Sequence, residues 1–285
     1  MRTLLAASTF VVAASACSSP NPGSRVERYT LRFEALVAGA PAECDRSYEG
    51  LGTGKVRAKI ADLRLYVHDV RLVRQGGQEV PFELDDDGKW QRQGLALLDF
   101  EDGRGSCATG SPETHPTLEG RAPDHDDYVG IAFKVGVPAA SNHLDAATAP
   151  PPLNSQGLWW SWRGGFKYMR TDLVLDDGAP FYFHLGATDC KGTVTAVETN
   201  VTCAAGNVAN ITLRGKDPTK STVVFDLADL VAERDLAQKP DMKTDNVPGC
   251  MAFPGDPECP SMMGKLGLAF GSSAAGEATL FRWKP

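Results

Sequence analysis

The chain has no C-x-x-C pair, no basic block and no apolar run long enough to span a bilayer. The first absence removes the local signature of thiolate zinc sites and thioredoxin-like redox motifs. The second, with a net charge of −7 and a pI near 5.3, sets nucleic acid aside. The longest apolar stretch, Leu4 to Ala16, falls short of the roughly 20 residues a helical span needs. G-x-S-x-G, H-E-x-x-H and EF-hand patterns are missing as well. GLGTGK (50–55) has the wrong spacing for a phosphate loop and is followed by Val56, so it is read as a glycine turn. No internal repeat is visible.

The N-terminus has the form of an export signal. Arg2 supplies the charge, Leu4 to Ala16 the short apolar segment, and Ala14-Ser15-Ala16 a small-residue cleavage site before Cys17. The polar, Pro- and Gly-containing tether behind Cys17 favours a lipid-anchored cysteine, and hence an outer-membrane-anchored lipoprotein. Ordinary cleavage to a soluble periplasmic protein is the alternative. Residues 1–17 are thus assigned to the signal, 18–28 to the tether and 29–285 to a single domain. Six cysteines remain: Cys44, Cys107, Cys190, Cys203, Cys250 and Cys259. An even number in an exported chain points to disulfides, and six cysteines allow fifteen pairings. Short loops favour 190–203 and 250–259, leaving 44–107.

Period-two alternation predicts strands over 29–37, 59–73, 128–137, 180–187, 207–215, 221–227 and 277–283. In the first, Leu31, Phe33, Ala35 and Val37 share a face. In the second, Leu63, Leu65 and Val67 alternate with Arg64, Tyr66 and His68. Two short helices are predicted, over 226–236 and 261–270. Many short strands separated by Gly, Asp, Asn and Pro turns predict a mainly β chain, an antiparallel β-sandwich with disulfides. Residues 142–170, with Pro150-Pro151-Pro152 and then the tryptophans, are read as a long loop insertion, where function tends to sit. Asp85-Asp86-Asp87 and Asp124-His125-Asp126-Asp127 are read as polar turns.

Histidine is scarce, with five in the chain. His68 and His184 lie in predicted strands and His143 in the insertion, so together they are candidates for a preorganised imidazole site. Imidazole suits copper, zinc, iron and nickel, with copper(II) bound most tightly among the divalent ions. Asp69 and Asn142 are sequence neighbours able to orient the rings. Tryptophan is clustered instead. Trp159, Trp160 and Trp162 occupy four positions, in a chain with five tryptophans. Such a cluster anchors a loop by burying large area.

Several stretches together resemble the MbnP-like family, the four-cysteine half of the bacterial "metallo-mystery pair". They are FEALVAGAPAECDRSYEGLGTG (33–54), DLRLYVHDVRLV (62–73), LALLDFEDGRGSC (95–107), KVGVPAASNHLDAATAPPPLN (134–154), LWWSWRGGFKYMRTDL (158–173), FHLGATDC (183–190) and GCMAFPGDPEC (249–259). The resemblance runs from about Tyr29 to Trp283.

It implies an exported, non-enzymatic copper-associated protein. Its implied partner is a di-haem protein similar to MauG and cytochrome c peroxidases, which in some relatives oxidises a tryptophan to kynurenine that takes part in copper binding. The implied metal residues are His68, His143 and His184. The implied modified residue is Trp160 or Trp162, with Trp159 as a further candidate. Two alternatives stand beside this reading: a metal-free module docking a partner through its tryptophans, and a zinc-dependent hydrolase with an open coordination position.

Overall fold

The computed structural model describes residues 25–161, 163–194, 199–238 and 247–285. The signal, Cys17 and most of the tether lie outside them. Strand β1 (Val26–Val37) begins three residues before the predicted domain start. The other main strands are β2 (Val56–Arg74), β3 (Leu95–Asp99), β4 (Thr117–Pro123), β5 (Tyr128–Val135), β6 (Trp159–Ser161), β7 (Gly165–Leu175), β8 (Pro180–Gly186), β9 (Thr188–Val194), β10 (Thr199–Ala205), β11 (Ala209–Arg214), β12 (Thr222–Asp226) and β13 (Phe281–Trp283).

Two sheets face each other. The smaller runs β13-β12-β1-β4, and the larger runs β11-β5-β2-β7-β8 with β3 added alongside β2. The predicted alternation of β1 is realised: Leu31, Phe33, Ala35 and Val37 are all buried. The layers meet through aromatic edges. Phe33 packs on Phe133 at 5.6 Å between ring centroids, Phe133 on Phe281 at 5.4 Å, and Phe281 on Phe225 at 5.3 Å. These offset contacts suit the ring quadrupoles and add to the burial energy. Pairing is antiparallel except for β1 with β12 and β8 with the short strand Gly249–Cys250.

The structure corrects three local expectations. Residues 226–236 hold only one helical turn, α1 (Leu227–Leu230), capped by the Asp226 carboxylate. The second helix, α2 (Cys259–Lys265), starts earlier and ends earlier than predicted, with Pro260 in its first turn. The insertion is shorter than 142–170, because β7 is a central strand of the larger sheet, flanked by β2 and β8. The Asp85–Asp87 segment is a turn, in which one Asp87 oxygen accepts from the backbone N–H groups of Lys89, Trp90 and Gln91. The GLGTGK segment is also a turn. Gly52, at φ +64°, lies so close to the Arg234 carbonyl that any Cβ would collide with it.

Strand β2 is buried on both faces. Leu63, Leu65 and Val67 point into the sandwich. Asp62, Arg64 and Tyr66 point outward, yet are 0%, 5% and 0% exposed. The cover is the 137–158 segment: Tyr66 donates to the Pro152 carbonyl at 3.0 Å. Beneath it the register aligns Asp99, Arg64, Arg170 and His184 in one row across β3, β2, β7 and β8. Asp62 and Asp172 face each other in the next row. Arg64 grips Asp62 through two nitrogens, and Arg170 reaches Asp62 at 3.0 Å and Asp172 at 2.9 Å.

Removing one partner from such a buried network strands the opposite charge. Arg64→Met is expected to cost about 3–5 kcal/mol. Arg104→Gln, at an exposed pair with Asp102, is expected to leave stability nearly unchanged. Urea unfolding of both variants checks the contrast; equal costs would show that the row does not carry the fold.

Candidate functional site

His184 closes the ion row on β8 and is 7% exposed. Its Nε2 lies 2.6 Å from Asp172 Oδ1. Burial pushes the Asp172 carboxyl up, but the hydrogen bonds from His184 and Arg170 outweigh it and hold the group below the ordinary carboxylate range. Burial lowers the His184 imidazole, against the pull of Asp172. The result is a neutral ring donating Nε2–H to a carboxylate. Its Nδ1 lone pair is buried and has no hydrogen-bond partner. A carboxylate fixing one ring nitrogen while the other is left as a free donor is the usual setting of a metal-ligating histidine.

The tryptophan strand lies beside it. Ser155 to Ser161 crosses the ion row: the Gly157 carbonyl accepts from Arg170 and Lys167, both at 3.0 Å. A Cβ at Gly157 would press on both guanidiniums of the row. Burial, then the Arg170 charge, lowers Lys167 to about 8. Trp159 pairs with Phe166 and packs, partly buried, against the core. Trp160 lies over Gly186, where a Cβ would strike its ring. Its ring is tilted toward His184 at 6.4 Å and stacks on Phe253 at 5.7 Å. Phe253 is 53% exposed, so this pair opens to solvent. Trp162 lies outside the described residues.

The expected three-histidine site is not assembled. Among the described residues, His68, His143 and His184 do not bring their ring nitrogens within 4.8 Å of one another as a group. Register explains the separation. His184 is level with Arg64, while His68 lies four residues further along β2 and two strands away, on the order of 15 Å. His68 is half-buried, with Nδ1 2.9 Å from the Gly136 carbonyl, and burial lowers its pKa. His143 is buried, with Nε2 3.5 Å from Cys203 Sγ and 3.4 Å from the Asn142 side-chain amide. Neighbouring Asn142 accepts from the Phe166 amide at 3.0 Å, anchoring the loop. The Asp69 carboxylate, read as a partner for His68, binds Arg71 and Lys134 instead.

The cysteines pair 44–107, 190–203 and 250–259. Sequence reasoning missed Asp172, Arg170, Arg64 and Phe253. The signal available for Arg170 and Asp172 is the charged alternation R-T-D within an apolar strand; Phe253 has none.

A family model described as MbnP matches residues 26–252. Among solved structures, MbnP from Methylosinus trichosporium is similar at a TM-score of 0.76 and 28% identity, over 91% of this chain and 98% of that one. No curated protein matches the chain.

At the far end of the row, burial and the Glu101 charge raise Asp99 to about 7. Its folded pKa lies above its unfolded value, so its contribution to stability is full at acid pH and lost as pH rises through about 7. Asp99→Asn is therefore expected to gain on the parent protein between about pH 5 and about pH 8. Thermal unfolding at the two pH values reads this, and a constant or shrinking difference counts against it.

Proposed function

The chain belongs to the MbnP family, and from that premise we propose that it is an exported copper-binding protein of the bacterial cell envelope, without catalysis of its own. The observation that carries the copper reading is the His184 Nδ1 lone pair, buried and unpartnered, with the opposite nitrogen fixed by Asp172. Leaving such an atom unsatisfied costs about 1–3 kcal/mol, and a bound metal relieves that cost. Three disulfides suit an oxidising, exported setting.

His184 is the anchor ligand in this reading. Trp160 is the residue modified, because its ring is tilted over His184 and shares an exposed face with Phe253. A di-haem partner of the peroxidase type, using two equivalents of peroxide, would place one oxygen on indole C2 and one on C3 as the bond between them breaks, with two waters released. Hydrolysis of the resulting N-formyl group then releases formate and leaves the aniline nitrogen of kynurenine. Copper held there gains an imidazole and an aniline nitrogen as donors. Trp159, packed against the core, is the less accessible candidate. His68 and His143 stand too far apart in this arrangement to complete one centre with His184.

The docking alternative has its own support in the exposed Phe253–Trp160 stack. It is compatible with the copper reading, because the modifying partner must reach the same ring. The zinc-hydrolase alternative has little support. The carboxylate nearest His184 is Asp172, already engaged by His184 and Arg170, and so is not free to activate water. Export by a lipid anchor on Cys17 remains part of the proposal.

Protein purified without chelator from its native host is expected to carry copper, with kynurenine in the 157–173 peptide. His184→Ala is expected to lose tight copper binding, and Asp172→Asn to weaken it about 10–100-fold. Both variants are checked for folding by thermal unfolding. Unchanged affinity in a folded His184→Ala variant removes the ligand assignment.

A further inference from the structure

A second group of metal-binding atoms lies away from His184. Cys190 and Cys203 face each other across the β9–β10 hairpin and form its disulfide. His143, from the loop before the prolines, brings its ring within 3.5 Å of Cys203 Sγ. The ring nitrogen and the two sulfurs all lie within 4.8 Å of one another. Metal–sulfur and metal–nitrogen bonds of roughly 2.0–2.3 Å place donors about 4 Å apart. Once the sulfurs separate, small side-chain rotations bring all three to one point.

We propose that His143, Cys190 and Cys203 form a redox-gated site for monovalent copper, closed while the disulfide is intact and opened by a small dithiol reductant.

Three features support the gate. Cys190 and Cys203 are both partly exposed, whereas the other two disulfides each contain a fully buried cysteine, Cys107 in one and Cys250 and Cys259 in the other. Access controls thiol–disulfide exchange, so the hairpin disulfide is attacked first. The hairpin is a two-stranded sheet of its own, so opening its crosslink leaves both sandwich sheets paired. His143, by contrast, is 5% exposed and tied to the framework through neighbouring Asn142, so one donor stays in position in either state.

The chemistry balances. One thiolate of the reductant attacks a protein sulfur and expels the other protein sulfur as a thiolate; its second thiolate then attacks the reductant's own sulfur in the mixed disulfide and expels the first protein sulfur. The reductant leaves as its cyclic disulfide, and two electrons pass to Cys190 and Cys203. On metal binding the two thiols release their protons to solvent and the neutral imidazole offers its lone pair. Soft thiolates with one imidazole favour copper(I), which accepts low coordination numbers.

Two other cysteine pairs have a carboxylate nearby, Glu101 by 44–107 and Asp256 by 250–259. They are poorer sites. Glu101 is occupied by the amides of Gly103 and Ser111, and Asp256 by those of Met251 and Glu258. Carboxylate oxygen is also a hard donor, unsuited to copper(I).

The test uses the whole mature protein under anaerobic conditions. It is treated with graded dithiothreitol, alkylated and peptide-mapped, and parallel samples are titrated with copper(I) against a chromophoric chelator. Cys190 and Cys203 are expected to be alkylated before the other four cysteines. The reduced protein is expected to take about one more copper(I) than the oxidised protein. His143→Ala is expected to hold that extra ion at least about 10-fold more weakly, the scale seen when even an outer partner is lost. The Cys190→Ser/Cys203→Ser double variant, which opens the hairpin without thiols, is expected to take no extra copper and to unfold cooperatively.

Equal copper uptake in both redox states overturns the proposal. So does wild-type affinity in His143→Ala, earlier opening of another disulfide, or loss of cooperative unfolding when the hairpin crosslink is removed. Copper bound by the oxidised protein reports on His184 alone, so failure there and failure here are separate results.

Discussion

The buried row Asp99–Arg64–Arg170–His184 is the constraint on which the rest of the larger sheet depends. Charges in a protein interior are tolerated only where each is paired and hydrogen-bonded. That requirement fixes four strands in register, because a slip of one residue would turn Arg64 or Arg170 into the apolar core. It also fixes the cover. Arg64 reaches Ser155, and Arg170 and Lys167 reach the Gly157 carbonyl, so the tryptophan segment is held down by the same cations that neutralise Asp62 and Asp172. His184 inherits its tautomer from this arrangement. Asp172 is ionised because Arg170 and His184 both donate to it, and His184 therefore leaves Nδ1 rather than Nε2 without a hydrogen-bond partner.

The same row explains how much of the molecule was legible in the sequence. The sandwich strands were readable where one face is apolar and the other polar, as in β1. Strand β7 was not, because Lys167, Arg170 and Asp172 break its apolar pattern. Their neutralising partners come from β2 and β8, dozens of residues away or across a hairpin. Local periodicity carries no information about such pairing, so the strand was absorbed into an insertion. The burial of Arg64 and Tyr66 is hidden from the alternation of β2 for the same reason: the segment that buries them is far along the chain. The disulfide choice was legible because short loops between cysteines need no tertiary knowledge.

The histidines show the opposite failure. Residue type and strand placement suggested three equivalent ligands, yet position along a strand converts directly into distance. Four residues along β2 and two strands across are enough to separate His68 from His184. What distinguishes the three rings is what one ring nitrogen meets: a carboxylate for His184, a carbonyl for His68, and for His143 the Asn142 side-chain amide and a disulfide sulfur. No spacing rule encodes that distinction. The asymmetry between Trp159 and Trp160 has a similar origin, since adjacent residues on a strand point to opposite faces. One packs against the core, and the other meets the backbone of Gly186, the only residue type that leaves room for its ring.

These partners also imply different chemistry at the two proposed metal positions. At His184 the donor is preorganised and its surroundings are already closed by the ion row, so occupancy there depends on metal supply and on the state of Trp160. Around His143 the donors exist only after a covalent bond is broken, so occupancy depends on the reducing power of the compartment. Thiolates also favour monovalent copper more strongly than imidazole does. A copper ion bound at His184 under oxidising conditions therefore has no competing thiolate site among the described residues. Under reducing conditions it acquires one, in the loop that leads into the tryptophan segment. The two positions need not cooperate structurally for the second to compete with the first: mass action on a shared ion is sufficient, and its direction is set by the hairpin disulfide.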